Sequence, residues 1–597
     1  MSLYHELKRR NVFRVGIAYL ALAWLVTEVA GTLFPAFGIP DWGVRFVVIV
    51  FALGLVPALI ISWVYEITPE GLKRETEVVR DASITHRTAK RLDMFTIGLI
   101  VVALAFILAD RFWLDSEQVE QSAPESQYAS NSIAVLPFVN MSDDADNEYF
   151  SDGISEELLN LLAKIPELRV IARTSSFSYK GKDLNIADIA HQLNVDHVLE
   201  GSVRKAGNQV RITAQLIRAT DSSHLWSVTY DRTLDNIFAI QDEIAEAVVA
   251  QLKATLLDDV PTVEETDPQA YVLYLQGRHV RQQVTTEGPA EGKELVQAQA
   301  LLQQALAIDP DFAAAWNELG TVYLRQPIFL LRPIDEGFTL AREATNKALA
   351  IDPDYALAHV NLGRLASYDN DLAATARHFE RALQLEPANT TIIGAAASLT
   401  LELGRPNEAI ALTEFLISRD PVSVGGHIML GGCYTSVGRW DEAIASYRTA
   451  LMLSPNSSWW HYSLGIALLL KGEPQAALEA IHKEVSGVWR LLGLVMAHHA
   501  LGDATASNAA LAALIEQEER DAAYNIAYAL AYRGEADRAF EWLDKALEYK
   551  DMGLFGIVTE PLFTNIHDHP RWLPFLESIG RSPGQLAAIE FKVTLPK

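Results

Sequence analysis

The chain holds a single cysteine, Cys433, in 597 residues. One thiol excludes an intrachain disulfide and any metal site built on several cysteines, while leaving the redox compartment open. Basic residues are in short supply as well, with 49 Lys and Arg against 76 Asp and Glu and a formal charge of −27. A surface of that sign repels phosphate backbones, so nucleic acid is not an expected partner. Catalytic signatures are missing too: no GxxxxGK[ST] phosphate loop, no HExxH and no GxSxG. The 15 histidines are no enrichment. His191 and His197 fall on different elements, and the adjacent His498 and His499 point apart on a helix, which is weak support for zinc. Carboxylates are scattered over helix surfaces as ordinary solvated faces. The sequence therefore assigns no catalytic residue, no metal and no cofactor, and the chain reads as non-enzymatic.

Apolar sequence is what the chain has in quantity, at 50% of residues. Residues 15–34, 46–64 and 94–114 each approach the ~20 residues needed to cross a bilayer. They predict three transmembrane α-helices in an anchor spanning 1–115, with the lipid bilayer as a partner. Lys8, Arg9, Arg10 and Arg14 precede the first run, and Lys73, Arg74, Arg80, Arg87, Lys90 and Arg91 separate the second from the third. The positive-inside rule then places the N-terminus in the cytoplasm and everything after about residue 115 outside. Trp42, Trp63 and Trp113 stand at the ends of these runs, as interfacial aromatics do. Glu28 lies within the first run and is expected to reach toward the headgroups.

Residues 116–131 (SEQVEQSAPESQYASN) are polar and aperiodic, a linker. Over 132–257 the pattern is β-α-β-α-β-β-β-α, a small α/β domain. In QVRITAQLI, Val210, Ile212, Ala214 and Leu216 alternate with polar residues, the mark of a sheet with one solvated face. KAGN at 205–208 predicts a hairpin turn. The acidic run Asp143, Asp144, Asp146, Glu148 and Asp152 invites a calcium reading. Counted from Asp144, however, Tyr149 and Ser155 stand where an EF-hand needs glycine and glutamate. The pattern instead predicts that Ser151 or Asp152 caps a helix carrying Glu156 and Glu157 in its first turn.

SIAVLPFVNMSDDADNEYFSDGISEELLNLLAKI, RVIARTSSFSYKGK, VDHVLEGSVRKAGNQVRITAQLI and HLWSVTYDRTLDNIFAIQDEIA together form a dense signature. It resembles the TolB-amino-terminal-like (FlgO-like) periplasmic domain of bacterial envelope proteins that also carry tetratricopeptide repeats. The segment ending WVYEITPEGLKRE resembles the membrane region of the same proteins. The resemblance implies a multi-pass bacterial inner-membrane protein whose later domains are periplasmic. Relatives often carry an adenylate cyclase or winged-helix domain on the cytoplasmic side. The expected cytoplasmic pieces here, residues 1–14 and 65–93, are too short for either fold.

After a second linker at 258–270, prolines recur at Pro310, Pro353, Pro387, Pro421 and Pro455, at intervals of 43, 34, 34 and 34. A 34-residue period of helix pairs is the tetratricopeptide signature. The small residues Gly320, Gly363, Ala397, Gly431 and Gly465 follow at the helix-contact position. The long interval places its extra residues in RQPIFLLRPIDEG. Residues 271–597 thus read as an all-α tetratricopeptide superhelix of seven or eight repeats, closed by the cap PRWLPFLESIG. Counted from the prolines, its groove candidates are Asn317, Thr321, Val360, Arg364, Ser398, Ile428, Trp459 and Tyr462. The WWHY run at 459–462 stands out because exposed aromatics form binding hot spots, while Trp460 is expected to pack between repeats. Arg364 and Asn317 alone do not make a carboxylate clamp.

The resulting expectation is a membrane-anchored scaffold that binds envelope or membrane proteins through its repeats. The alternative is a sensor whose α/β domain binds a small ligand or peptide and signals to a membrane partner. Membrane helices and repeats both permit self-association into a homo-oligomer.

Overall fold

The computed structural model describes stretches of residues 15–74 and, apart from gaps at 166–167, 183, 253–262, 264 and 285–291, residues 129–596. The chain divides into two compact units, Met1–Glu125 and Ser126–Lys597.

In the first unit, β1 (Tyr65–Thr68) and β2 (Gly71–Arg74) pair antiparallel. The Tyr19 hydroxyl donates to the Phe51 carbonyl at 3.0 Å. No helix among the described residues is long and apolar enough to cross a membrane. This corrects the expectation of three transmembrane α-helices, and with it the inner-membrane placement and the cytoplasm-to-periplasm orientation. Window hydropathy counts apolar residues, whereas spanning requires an unbroken helix of ~20 residues rising 1.5 Å each. Lys73 and Arg74, expected in a loop between spans, belong to β2. The third expected span (94–114) and Glu28 lie outside the described residues.

The second unit opens with a six-stranded mixed sheet of order β5-β3-β6-β7-β8, with β4 pairing β6. Its strands are β3 (Ala129–Val135), β4 (Val139–Asn140), β5 (Arg169–Val170), β6 (Val195–Ala206), β7 (Gln209–Arg218) and β8 (His224–Thr233). Three helices connect them, α1 (Glu148–Ala163), α2 (Arg173–Phe177) and α3 (Ile186–Leu193), and α4 (Ile237–Leu252) follows the last strand. β3 runs parallel to β5 and β6, whereas β6-β7-β8 is an antiparallel meander. Parallel strands covered on both faces carry apolar side chains throughout. In β3, Ile133 and Val135 join one core and Ala134, with Leu136 beyond it, joins another against α3. β7 alternates instead, burying Val210, Ile212, Ala214 and Leu216 beneath α1 and α4. The β6-β7 turn falls at Gly207, whose φ of +58° is open to glycine at no steric cost.

Eight helix pairs follow among the described residues. They are α5 (Pro268–Gln282) with α6 (Lys293–Ile308), α7 (Ala313–Arg325) with α8 (Ile334–Ile351), and α9 (Ala356–Tyr368) with α10 (Leu372–Leu385). Next come α11 (Thr390–Glu402) with α12 (Pro406–Arg419), and α13 (Val424–Ser436) with α14 (Trp440–Leu453). The last are α15 (Trp460–Lys471) with α16 (Pro474–Ile481), α17 (Gly487–Ala500) with α18 (Ala504–Glu518), and α19 (Ala523–Tyr532) with α20 (Ala536–Glu548). The extra residues of the long interval form a 3-10 turn, Gln326–Phe329, between α7 and α8.

No boundary in packing separates sheet from repeats. Phe238 of α4 meets the Tyr271 ring of α5 at 4.9 Å, and Gln241 Nε2 donates to the Tyr271 hydroxyl at 2.9 Å. Gly153 of α1 lies so close to α5 that a Cβ there would sit 2.7 Å from Leu275. After α20 the chain turns back. Glu560 faces the tyrosines Tyr447, Tyr462, Tyr524 and Tyr528, and α21 (Trp572–Ser578) buries Trp572, Phe575 and Leu576. Beyond it, buried Arg581 donates to Asn370 Oδ1 at 2.9 Å and lies 3.5 Å from Glu402, returning the C-terminus to the middle repeats. α22 (Pro583–Ala587) follows.

Candidate functional site

The seam between α1 and α5 holds several buried or half-buried charged side chains. A carboxylate hidden where helices pack needs a cation or hydrogen-bond donors, or else it takes up a proton. Glu156, 7% exposed, meets Arg278 at 2.5 Å and Arg173 at 2.9 Å, and accepts from Gln282 Nε2 at 3.1 Å. Burial by itself would raise this carboxyl, but Arg278 and Arg173 outweigh it and hold Glu156 below the usual range. Glu157 also bonds to Arg278, yet burial and the Glu156 charge leave it raised. One guanidinium cannot fully neutralise two buried acids. One turn earlier on α1, Asp152 takes Lys180 Nζ at 2.6 Å and faces His279 at 3.6 Å, while Glu148 takes the same lysine.

These contacts decide what the acidic segment does. α1 begins at Glu148 after Asn147, which makes no side-chain cap bond. Ser151 and Asp152 are buried within the helix, so neither caps it, and Glu156 and Glu157 answer arginines rather than the helix dipole. Among the described residues no group of three metal-ligating side chains is assembled.

A second seam lies far along the array. Ala172 and Ser175 follow the carboxyl end of β5. Ala172 N–H donates to the Arg419 carbonyl at 2.8 Å, and the Ser175 hydroxyl donates to Asp420 at 2.6 Å while accepting from Val422 N–H at 3.1 Å. Arg169 reaches the Ser418 carbonyl at 2.6 Å. The repeats thus grip the α/β domain at the first pair and again between the fourth and fifth.

The groove candidates separate by exposure. Asn317, Val360, Ile428 and Tyr462 are buried and pack between helices, contrary to a groove-lining position. Asn361 Nδ2 bridges Asn317 Oδ1 at 2.9 Å and the Thr321 hydroxyl at 3.0 Å, and Tyr462 shares a hydroxyl bond of 2.8 Å with Tyr528. Thr321 and Ser398 are half-buried, whereas Arg364 and Trp459 are exposed. Trp460 packs on the large apolar cluster of the C-terminal repeats.

Around Arg364 the structure gathers arginines that repeat counting missed. Arg281 ends α5 in an ion pair with Glu318, and Arg325 ends α7 beside the Phe329 ring. Burial lowers the half-buried Arg325, and the Arg281 and Arg364 charges near it lower it further. The three come from different positions of their repeats, so a 34-residue register does not align them. No local sequence signal marks them, since arginines are as frequent in the second helices, with Arg342 on α8 and Arg377 and Arg381 on α10.

Trp459 has an unusual support. Its backbone is left-handed, φ +65°, a conformation costing a side-chain-bearing residue roughly 1–2 kcal/mol. Glu484, 1% exposed, imposes it by accepting from the N–H groups of Trp459 at 2.9 Å, Tyr462 at 3.1 Å and Ser486 at 3.0 Å. A carboxylate from a later loop thereby caps α15, satisfying donors that the helix start leaves open. The residue stays 41% exposed, with the Trp489 ring at 6.2 Å from its own.

Comparison with known proteins bears on both parts. Residues 129–247 match a family model described as HilA/YgeH-like transcriptional regulator, second domain, rather than the TolB-like description the sequence resembled. Residues 296–329 match a tetratricopeptide repeat model and residues 431–472 a TPR repeat model. A protein of Rhizobium meliloti (strain 1021) named "Putative adenylate cyclase 3" is 42% identical over 205 residues, 34% of each chain. The chain therefore spans about a third of that relative's length. Among solved structures, PilW, described as a widely conserved type IV pilus biogenesis factor, is 21% identical over 34% of this chain and 93% of its own, at a TM-score of 0.31. Pseudomonas aeruginosa pilF is 18% identical over 35% and 92%, at a TM-score of 0.30. The chain carries tetratricopeptide repeats and a HilA/YgeH-like domain.

Proposed function

We propose that this chain is a non-catalytic interaction protein, in which a tetratricopeptide array holds its own α/β domain and presents a separate face to partner proteins. The observation that carries this is Trp459, a large aromatic kept exposed in a strained backbone by a buried, fully engaged carboxylate. Strain of this kind persists where surrounding structure enforces it, and exposed tryptophans are favoured binding anchors. Arg364, with Arg325 near it, adds cationic charge to an otherwise acidic chain and suits an acidic partner segment. The test is a photo-crosslinking residue at position 459 or 364 of the full chain, with exposed Arg448 on α14 as control position. Protein adducts from 459 and 364 but not 448 support the reading; equal labelling from all three would sink it.

A second reading, a sensor, draws on the seam beyond β5. Open α/β sheets bind ligands outside the carboxyl ends of their parallel strands. Here Ala172 and Ser175 occupy that edge while bonded to the repeats, so a ligand there would loosen the seam. The description of the matched family as a HilA/YgeH-like transcriptional regulator and the relative's name, "Putative adenylate cyclase 3", are consistent with a regulatory setting. Faster amide exchange at 418–424 on adding a candidate ligand would favour it over a constitutive scaffold.

A further inference from the structure

The last residues of the chain lie on the array as an extended segment. Ile589, Phe591, Val593 and Leu595 turn inward, while Glu590, Lys592 and Thr594 are exposed. A period of two is that of a strand. The main chain bonds to side chains instead of a ladder. Arg405 donates from Nη1 to the Phe591 carbonyl at 3.0 Å and from Nη2 to the Ile589 carbonyl at 2.9 Å. Glu380 accepts the Lys592 N–H at 2.8 Å. Phe591, 3% exposed, joins the cluster of Phe379, Leu399 and Leu403. Arg405 precedes α12 and Glu380 lies on α10, so the cleft spans neighbouring repeats.

Reading carbonyls and N–H groups, with pockets for alternate side chains, is how extended peptides are recognised. The segment joins no strand ladder and exposes every second side chain, which puts it among the parts of a fold that open most readily. Its root is firm, because Leu586 and Arg581 just before it are buried.

We propose that this cleft is a binding site for extended protein segments with alternating apolar residues and an aromatic at the Phe591 position. Residues 588–596 fill it in cis as a tethered competitor. The proposal rests on the interaction-protein reading and names one class of partner; it concerns a face separate from Trp459, so its failure would leave the crosslinking outcome at 459 untouched.

The test uses a fluorescent peptide of residues 587–597, titrated by anisotropy against the full chain, its Phe591→Ala variant, and Phe591→Ala with Arg405→Ala. A short tether supplies an effective concentration on the order of mM, so freeing the tail should tighten peptide binding by at least about tenfold. Arg405→Ala should abolish the gain, as should Phe591→Ala within the peptide. Saturable binding absent from a folded Phe591→Ala chain, or indifferent to Arg405, would overturn the proposal. A chain ending at Ala588 repeats the measurement should Phe591→Ala lose helical signal.

Discussion

Replacing Arg278 with alanine strikes the point where the α/β domain and the repeats share charge. The Arg278 side chain is 13% exposed, that of Glu156 9% and that of Glu157 19%. Opposite charges about 4 Å apart at an effective dielectric of about 20 attract by about 4 kcal/mol. Not all of this is lost, because Glu156 keeps Arg173 and Gln282, and Glu157 already sits raised by burial and can take a proton. Removing one member of a buried pair typically costs about 3–5 kcal/mol, so the lower end, about 3 kcal/mol at pH 7, is expected. The pH dependence carries the sign. In the native chain Glu156 is depressed, so its contribution is present above the unfolded carboxylate range and lost as pH falls through the folded value. Without Arg278 burial acts on both carboxyls with less opposition and raises Glu157 further, so the variant's deficit should shrink between pH 8 and pH 5. The assay is thermal unfolding by far-UV circular dichroism, with amide exchange resolving α1 and α5. A deficit under about 1 kcal/mol, the range of a solvated surface pair, would refute the reasoning, as would one that does not change with pH.

Other outcomes follow from single groups. Burial lifts Glu560 to about 7, so native stability should fall as pH rises from the ordinary carboxylate range through 7. Glu560→Gln, which keeps the acceptor for Leu562 N–H, should remove that slope and gain about 2–3 kcal/mol over the native chain at pH 8 but little at pH 5; chemical denaturation at the two pH values decides. Ser175→Ala removes a donor to buried Asp420 and an acceptor for Val422, which should cost about 1–3 kcal/mol and speed amide exchange at 418–424. Trp459→Gly releases a left-handed strain of roughly 1–2 kcal/mol. Its melting temperature should hold or rise while partner crosslinks from position 364 disappear; a clear loss of stability would show that the indole serves packing.

The repeats were legible because proline spacing and small residues report local helix pairing, and helices read their own period. The antiparallel meander was legible for the same reason, through the alternation at Val210, Ile212, Ala214 and Leu216. Long-range features were not. Glu484 capping α15 from a later loop, Arg581 returning to Asn370 and Glu402, and Ser175 meeting Asp420 join residues that no local pattern relates. The acidic run misled because carboxylates near a helix start look alike whether they cap or pair; only the approach of α5, with Arg278, decides. Groove counting failed at Asn317, Val360, Ile428 and Tyr462 because neighbouring repeats cover those positions. For the apolar runs near the N-terminus, hydropathy counts residues, and among the described residues no helix is long and apolar enough to span.

The central claim, that the array is an interaction surface separate from its hold on the α/β domain, is tested most directly by quantitative affinity capture. Full-length chain, the pair Trp459→Ala with Arg364→Glu, and Arg448→Ala would be compared at matched folding. The account predicts specific proteins that are retained by the native chain and Arg448→Ala and lost from the double variant. Proteins retained equally by all three would contradict it.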